Sequence, residues 1–403
     1  MRKLPALLFL LLGAGLFFPA CEVENCPPNA LSYAHFTLVD QYGREVALAD
    51  PVSVYGQIQM DVTVHDTLPD GSIQERVVHD SLISDTLINS ESNASSFKLP
   101  LSYNSQTRFV IAYQGRRPDT VILEHRNIPY FINLDCGTMM FHEVEHVTYT
   151  HHQLDSLTIT NPNIDNNEKR ISEFISQLLI ASSLLLISAP ATGQTPSPTK
   201  VKKEEKKETP LYQGTAIGLE IAGLASHLLG SDILSSEIQI QSNLKNRFLP
   251  VLEIGYGKAD AVNDGTNLHY KTSAPFFRIG MDYNIMYKKT HLPGYLYVGL
   301  RYGMTSFSYD VDGPVMTDPN YGGLIEVPYS YHGQKSNASW LEGLVGIKVK
   351  IYKSFCMGWS VRYKMHMNVK NHENSEPWYI PGFGKNAGSS FNLMYHLIYN
   401  LPF

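Results

Sequence analysis

Residues 357–370 read Met-Gly-Trp-Ser-Val-Arg-Tyr-Lys-Met-His-Met-Asn-Val-Lys. Met357, Trp359, Val361, Tyr363, Met365, Met367 and Val369 are apolar or aromatic, and the residues between them are small, polar or charged. Successive side chains of a strand point to opposite faces, so this stretch forms a strand with one apolar wall and one polar wall. The chain closes on the same rhythm: Phe391, Leu393, Tyr395, Leu397, Tyr399, Leu401 and Phe403 alternate with residues that include Asn392, His396 and Asn400.

Working back from these two stretches, the pattern recurs in Tyr212 to Leu224, Ser235 to Asn243, Phe248 to Lys258, Ala274 to Tyr287, Tyr295 to Ser308 and Ser339 to Lys353, giving eight segments with Met357 to Lys370 and Gly388 to Phe403. The connections after the second, fourth and sixth are brief, whereas those after the third, fifth and seventh are long and polar. An even strand number with short turns at one end and long loops at the other predicts an eight-stranded transmembrane β-barrel over 211–403. A soluble barrel of lipocalin type is the alternative, and would turn its apolar residues inward. The polar wall carries Glu220, Glu237, Glu253, Asp282 and Glu342 with Arg278, Arg301, Lys348, Lys350, Arg362 and Lys364. Eight strands leave an interior that side chains fill, so these mixed charges predict a salt-bridged plug rather than a wide channel or a catalytic dyad. The terminal strand, with Tyr399, Leu401 and Phe403, resembles the closing strand that the barrel-assembly machinery reads. Leu211 to Phe403 as a whole is similar to small bacterial outer-membrane barrel proteins, which implies an outer-membrane location and contact with outer-membrane lipid.

Upstream, residues 194–210 are Pro-flanked and charged with no apolar face, the composition of a solvated linker; its lysines lack the interleaved aromatics of a nucleic-acid site. Before it, 168–193 places Lys169-Arg170, the apolar run Leu178 to Ala189 and the small-x-small Ala189-Pro190-Ala191 and Ala191-Thr192-Gly193 in secretory order. Its 12 residues would make a helix of about 18 Å, short of a hydrocarbon core of about 30 Å. Two readings stay open: a second export signal merged into the chain, or a short apolar helix connecting two domains. No Met lies between Met140 and Met281, which favours a merger that removed a start. The chain itself begins with a charged, apolar and small-residue series over 1–20, a signal peptide, ending at Ala20-Cys21. That junction resembles the lipobox of bacterial lipoproteins, which implies lipid attachment at Cys21; the plain alternative is an ordinary signal with a free thiol.

Residues 21–167 form many short β-branched and aromatic runs separated by turn signals such as Tyr42-Gly43 and Asp70-Gly71. The runs are Ser53 to Thr63, Thr86 to Ile88, Ser96 to Leu101, Arg108 to Tyr113, Thr120 to His125 and Ser156 to Thr160, and they predict an antiparallel β-sandwich. His142-Glu143-Val144-Glu145-His146 matches the H-E-x-x-H zinc signature, which needs a helix to bring both imidazoles to one metal. Phe141 to Thr150 alternates as a strand, and four residues along a strand span about 13 Å. The expectation is exposed strand histidines, with a loose surface metal site at His142, His146, His151 or His152 as the lesser reading. Cys26 and Cys136 form a disulfide in one reading and remain two thiols in the other. Cys21 to Cys26, Leu99 to Leu101, Thr107 to Ile111 and Phe131 to Gly137 resemble an uncharacterised family of Bacteroidota lipoproteins, which implies an exported, lipid-anchored β domain without known activity.

The whole chain has 403 residues, 43% hydrophobic and 17% charged, with net charge -6. The acidic balance argues against a nucleic-acid partner. Mean hydropathy of -0.16 excludes a bundle of transmembrane helices while leaving alternating strands untouched. The expected class is therefore all-β and non-enzymatic, a cell-envelope protein with no cofactor. Its loops Asp310 to Asn337 and Asn371 to Ala387, with Tyr321, Tyr329, Tyr331, Trp378 and Tyr379, would meet an envelope or extracellular partner. A narrow pore is the alternative, and a lipid-modifying enzyme using His332 with Ser330 or His372 with Glu373 a more remote one.

Overall fold

The computed structural model describes residues 26, 32–68, 71–165 and 210–402. Cys21, the segments 168–193 and 194–209, Asp70 and Phe403 lie outside the described residues. The fold is all-β. Eight strands close into a ring in the order β10 (Ile233–Leu244), β11 (Phe248–Asn263), β12 (Leu268–Asn284), β13 (Gly294–Asp312), β16 (Ser330–Tyr352), β17 (Phe355–Val369), β20 (Ser389–Asn400) and β9 (Tyr212–Glu220). All neighbours are antiparallel, and the seam is made by the last strand on the first, from His396 opposite Glu220 to Asn400 opposite Ala216.

The alternation decides which way each wall faces. Leu219, Ile240, Ile254, Ile279, Leu300, Val345, Val361 and Leu393 stand exposed on the outside. Tyr212, Phe248, Tyr352, Phe355 and Tyr399 ring the short-turn end of that outer wall, and Tyr256, Tyr302 and Phe391 lie further along it. Eight residues separate Phe248 from Tyr256, which at about 3.3 Å per residue and a tilt near 40° is about 20 Å of height. The short-turn end is tight: Lys245 and Asn246 both take positive φ, the left-handed pair that matches the twist of the strands entering and leaving.

Several strands run further than the alternation predicts. β12 begins at Leu268 rather than Ala274, β13 continues to Asp312, and β16 begins at Ser330 rather than Ser339. These extensions rise beyond the upper aromatic residues, where both faces meet protein or water and the period-two signal fades. β9 is shorter than expected: it ends at Glu220, and Ala222–Leu228 turns into helix α1. The Glu220 carboxylate accepts the Ala222 N–H at 2.7 Å and the Gly223 N–H at 3.2 Å, which supplies the turn with partners a strand would not need.

The N-terminal unit packs two antiparallel layers. A six-stranded sheet runs β3 (Ile73–Glu91), β2 (Val52–Thr67), β5 (Gln106–Tyr113), β6 (Asp119–Asn133), β7 (Gly137–Tyr149), β8 (Asn163–Ile164), and the pair β1 (Tyr33–Thr37) with β4 (Ser96–Pro100) lies over it. Val52, Val54, Phe97, Leu99, Phe109, Ile111, Val121 and Leu123 fill the space between. Residues 156–160, expected as a strand, are irregular; Leu154 and Leu157 use this stretch to cover the core, pinned by Asp119. That buried carboxylate accepts from Thr150 Oγ1, His152 N and Gln153 N, each at 2.8 Å. β2 and β3 also outrun their core, continuing as a two-stranded ribbon on which Asp61, Thr63, His65 and Thr67 are exposed while Val62, Val64 and Asp66 are half-buried.

Candidate functional site in the barrel lumen and mouth

Glu220, Glu237, Glu253, Arg278, Asp282, Arg301, Glu342, Lys348, Arg362 and Lys364 are all buried inside the ring. Lys350, by contrast, is exposed at the short-turn rim beside a bulge at Lys350/Tyr352. Nine of the ten meet the lumen itself, while Glu220 serves the turn into α1. At mid-height, Arg362 grips Glu253 with two parallel bonds of 2.8 and 3.0 Å and lies 3.2 Å from both Glu237 and Glu342. Arg301 forks onto Asp282 at 2.8 and 2.9 Å and reaches Glu253 at 3.2 Å. Arg278 pairs with Glu237 and lies 2.8 Å from Glu342. Planar guanidiniums suit this role because each presents several donors in fixed geometry to several carboxylates. His396, placed on the inward face by the alternation but uncharged in the sequence reading, joins at 3.3 Å from Glu237.

Toward the short-turn end the filling turns to amides: Lys348 Nζ donates to Gln241 Oε1 at 3.3 Å and Asn400 Oδ1 at 3.2 Å. Toward the other end it turns aromatic. Trp340, Phe276, Tyr270 and Tyr309 project inward and are met by Trp378, Tyr379, Ile380 and Phe383, which descend from the connection between β17 and β20. Lys364 Nζ donates to the Gly382 carbonyl at 2.8 Å and the Phe383 carbonyl at 3.1 Å, and Arg278 Nη2 donates to Gly382 at 2.7 Å. This corrects the expectation for Trp378 and Tyr379: they are buried in the mouth and do not face the exterior. Their apolar run, Trp378-Tyr379-Ile380-Pro381-Gly382-Phe383, was the available signal, since a free loop tip has no reason to carry it. Gly382 can approach because it takes φ +84 and a Cβ there would strike the Phe276 ring.

The tip joining β6 to β7 enters the same mouth. Phe131 and Leu134 are buried in the barrel's aromatic cluster rather than in the sandwich core, and Phe131 stacks on Tyr270 with ring centroids 6.1 Å apart. Backbone pairing reinforces the contact: Phe131 N donates to Asn374 O and Glu376 N donates to Phe131 O, both at 3.1 Å. Thr266 Oγ1 donates to Leu134 O at 2.8 Å, and Asn263 Nδ2 to Asp135 Oδ1 at 2.9 Å. Cys26 and Cys136 form the disulfide, with Cα atoms 5.1 Å apart, at this tip. A second contact comes from the loop between β13 and β16. Asp318 accepts the Tyr103 N–H at 2.7 Å, and Tyr321 is fully buried over Gly56, where a Cβ would lie 2.5 Å from its hydroxyl oxygen. Tyr329 and Tyr331 bond Thr138 Oγ1 and the Pro129 carbonyl. The tyrosines expected to greet an outside partner therefore bind the chain's own N-terminal unit.

Near Asp318 and Tyr103 lies a buried polar cluster. His125 Nδ1 and His142 Nδ1 approach Asn127 Oδ1 at 2.9 and 2.7 Å, and His125 Nε2 meets Thr107 Oγ1 at 2.8 Å. Burial pushes His125 down to about 4; burial and then its neighbour His125 push His142 down to about 3. His142 is thus a buried, neutral core residue, which corrects its expected exposure. H-E-x-x-H lies in β7, where Glu145 is an extra residue between the Glu124–His146 and His125–Val144 pairs. The bulge turns the strand over, so His142 faces inward while His146, His151 and His152 are exposed. Among the described residues no group of three His, Cys, Asp or Glu is placed to hold a metal ion. At the rim, exposed His332 lies 3.5 Å from Asp312, and His372 donates its backbone N–H to Ser375 O.

A family described as "Family of unknown function (DUF6452)" matches residues 76–174, and one described as "Domain of unknown function (DUF6048)" matches residues 171–403. No curated protein matches the chain. Among solved structures, "Crystal structure of Neisserial surface protein A (NspA)" is similar at 15% identity and a TM-score of 0.26, over 47% of this chain and 96% of that one. "CymD monoaromatic hydrocarbon channel" is similar at 7% identity and a TM-score of 0.15, over 88% and 89% respectively.

Proposed function

The chain belongs to the DUF6048 family, and on that premise we propose that it is a non-enzymatic outer-membrane protein whose sealed barrel holds a β domain at its long-loop end. The reading rests on the filled lumen. Four carboxylates, Glu237, Glu253, Asp282 and Glu342, are matched by Arg278, Arg301, Arg362 and Lys364 inside the ring, and an aromatic layer and the β6–β7 tip close the mouth above them. We read such a core as structural filling rather than as a path for water or a cleft for substrate. The outer wall supports membrane residence: its exposed Leu, Ile, Val and Met residues surround the ring, and a continuous apolar belt between aromatic rows suits hydrocarbon rather than water. Short turns and both barrel ends at one pole support the usual orientation, with that pole facing the periplasm.

Function would then reside in what the barrel presents. The β2–β3 ribbon, with Asp61, Thr63, His65 and Thr67 exposed beyond Met60, is the surface that would meet an envelope or extracellular partner. The barrel half of the reading is tested in outer-membrane fractions. Carbonate-resistant material whose mobility on a denaturing gel changes with heating supports it, and silent planar bilayers support a sealed lumen; soluble material or steady single-channel currents would overturn it.

A further inference from the structure

The outer wall of the barrel dips near its long-loop end. Phe277, Met304, Ser339 and Asn368 stand directly opposite one another in a row across β12, β13, β16 and β17. With Ser306 and Asn337, the next opposed pair on that face, they line a recess of about 470 Å³, the size of a small-ligand site. The row beneath, Ile279, Tyr302, Leu341 and Met365, is bulky and forms its lower lip. Two irregularities coincide with the recess. On one side the β12–β13 ladder lacks pairs between Thr272–Tyr309 and Phe276–Thr305, where Pro275 has no N–H to offer and Thr305 Oγ1 donates to the Pro275 carbonyl at 2.9 Å. On the other, Met367 is an extra residue of β17 between the Trp340–His366 and Ser339–Asn368 pairs.

The chemistry of the recess changes along the barrel axis. Phe277 and Met304 are exposed apolar side chains continuous with the belt. Ser306, Asn337, Ser339 and Asn368 instead carry hydroxyls and amides, and none of these four side chains has a hydrogen-bond partner among the described residues. Such groups at the margin of hydrocarbon are costly unless something meets them. Ser306 lies four residues beyond Tyr302 on β13, about 10 Å along the axis at a tilt near 40°, so the polar part falls in the headgroup zone. Two positions further toward the long loops from Asn337 and Asn368, on the same outward face, come the exposed Lys335 and Lys370. Neither pairs with a carboxylate among the described residues. Asp310, the acid on that face of β13, accepts the Gly333 N–H at 2.7 Å and stands opposite Lys271 of β12, so the rim keeps a positive excess.

We propose that this recess holds one anionic phospholipid of the surrounding membrane. An acyl chain lies over Phe277 and Met304, the headgroup oxygens meet Ser306, Asn337, Ser339 and Asn368, and the phosphate meets Lys335 and Lys370. Resting on the outer-membrane reading above, this turns part of a belt that any lipid wets into a site that selects by charge. The two ammonium groups supply the preference for an anion, and the hydroxyls and amides supply directed bonds that a smooth apolar wall lacks. A zwitterionic lipid brings the same chains without net charge and gains less from the lysines.

The test takes the full chain in mild detergent, strips it of lipid and follows it by native mass spectrometry as dioleoyl phosphatidylglycerol or dioleoyl phosphatidylcholine is added. One phosphatidylglycerol per protein should be retained under conditions that remove phosphatidylcholine, and glycerol phosphate, the headgroup without chains, should not displace it. Lys335→Gln with Lys370→Gln should lower the retained fraction by about tenfold. Ser339→Leu, which fills the recess and keeps every charge, should do the same, whereas Lys289→Gln, exposed at the short-turn end, should change nothing. Equal retention of the two lipids, parental retention by either recess variant, or displacement by glycerol phosphate overturns the site. Heat-dependent mobility is recorded for each protein, and a variant that loses it leaves the other variant to decide. Its absence in the parent overturns the outer-membrane reading instead, so the two failures are told apart.

Discussion

Glu253 touches Arg301 and Arg362 and lies 3.2 Å from Arg278, so it is the residue on which the charged layer most depends. Glu253→Gln removes one negative charge from a buried network and leaves Arg301 and Arg362 each short of a carboxylate, a loss of about 3–5 kcal/mol. The temperature at which the folded barrel band disappears on a gel should drop by roughly 10 °C, whereas Lys350→Gln at the exposed rim should leave it unchanged. The strand period placed these charges on the inward wall, since a one-residue slip would have turned them onto the apolar one, but it also placed Lys350 there, which the bulge at Lys350/Tyr352 leaves exposed. What it could not supply was pairing: Arg362 and Glu253 are 109 positions apart, and their meeting depends on ring closure. The histidines carry a different consequence. His125 and His142 are neutral in the fold and free to protonate when unfolded, so between pH 6.5 and about 4 the unfolded chain binds more protons. Stability of the N-terminal unit should therefore fall as pH drops through that window, and calorimetry of His142→Gln should show a flatter acid limb than the parent.

Among the elements, the connection between β17 and β20 departs most from its sequence reading. Length and polar flanks marked it as an external loop, yet its centre supplies Ile380 and Phe383 to the mouth and its carbonyls to Lys364 and Arg278. Loop rules describe what solvent tolerates; they fail where a neighbouring element offers an apolar cleft. Replacing 378–385 with Gly and Ser should leave planar bilayers silent, because the charged layer still closes the ring. Adding Arg301→Ala and Arg362→Ala should open a measurable conductance; continued silence would assign the seal elsewhere. The β2–β3 ribbon has the opposite character. Beyond Met60 its side chains pack on nothing but each other, and a two-stranded hairpin alone is marginal in water. Its amides near Val64 and Arg76 should exchange within the first time points of a hydrogen-exchange series, while those at Val54 and Ile111 stay protected.

At the scale of the whole molecule, the outer wall decides where the protein resides. Leu300→Arg at mid-belt should weaken insertion by about 2–4 kcal/mol and lower the amount of heat-modifiable barrel recovered from membranes, whereas a change at exposed Lys335, above the belt, should not. The barrel was legible because it repeats one rule eight times. The seating of the N-terminal unit on it was not, since Tyr103 with Asp318 and Phe131 with Ser375 join residues more than 200 positions apart and no local period records such a meeting. That seating also bears on descent. The glycine at 56 and the tyrosine at 321 occupy one shared volume, so neither site can drift alone: a lineage that enlarges the first must shrink the second. Homologues carrying the two units on separate genes should preserve that reciprocal bargain as faithfully as those that carry them on one.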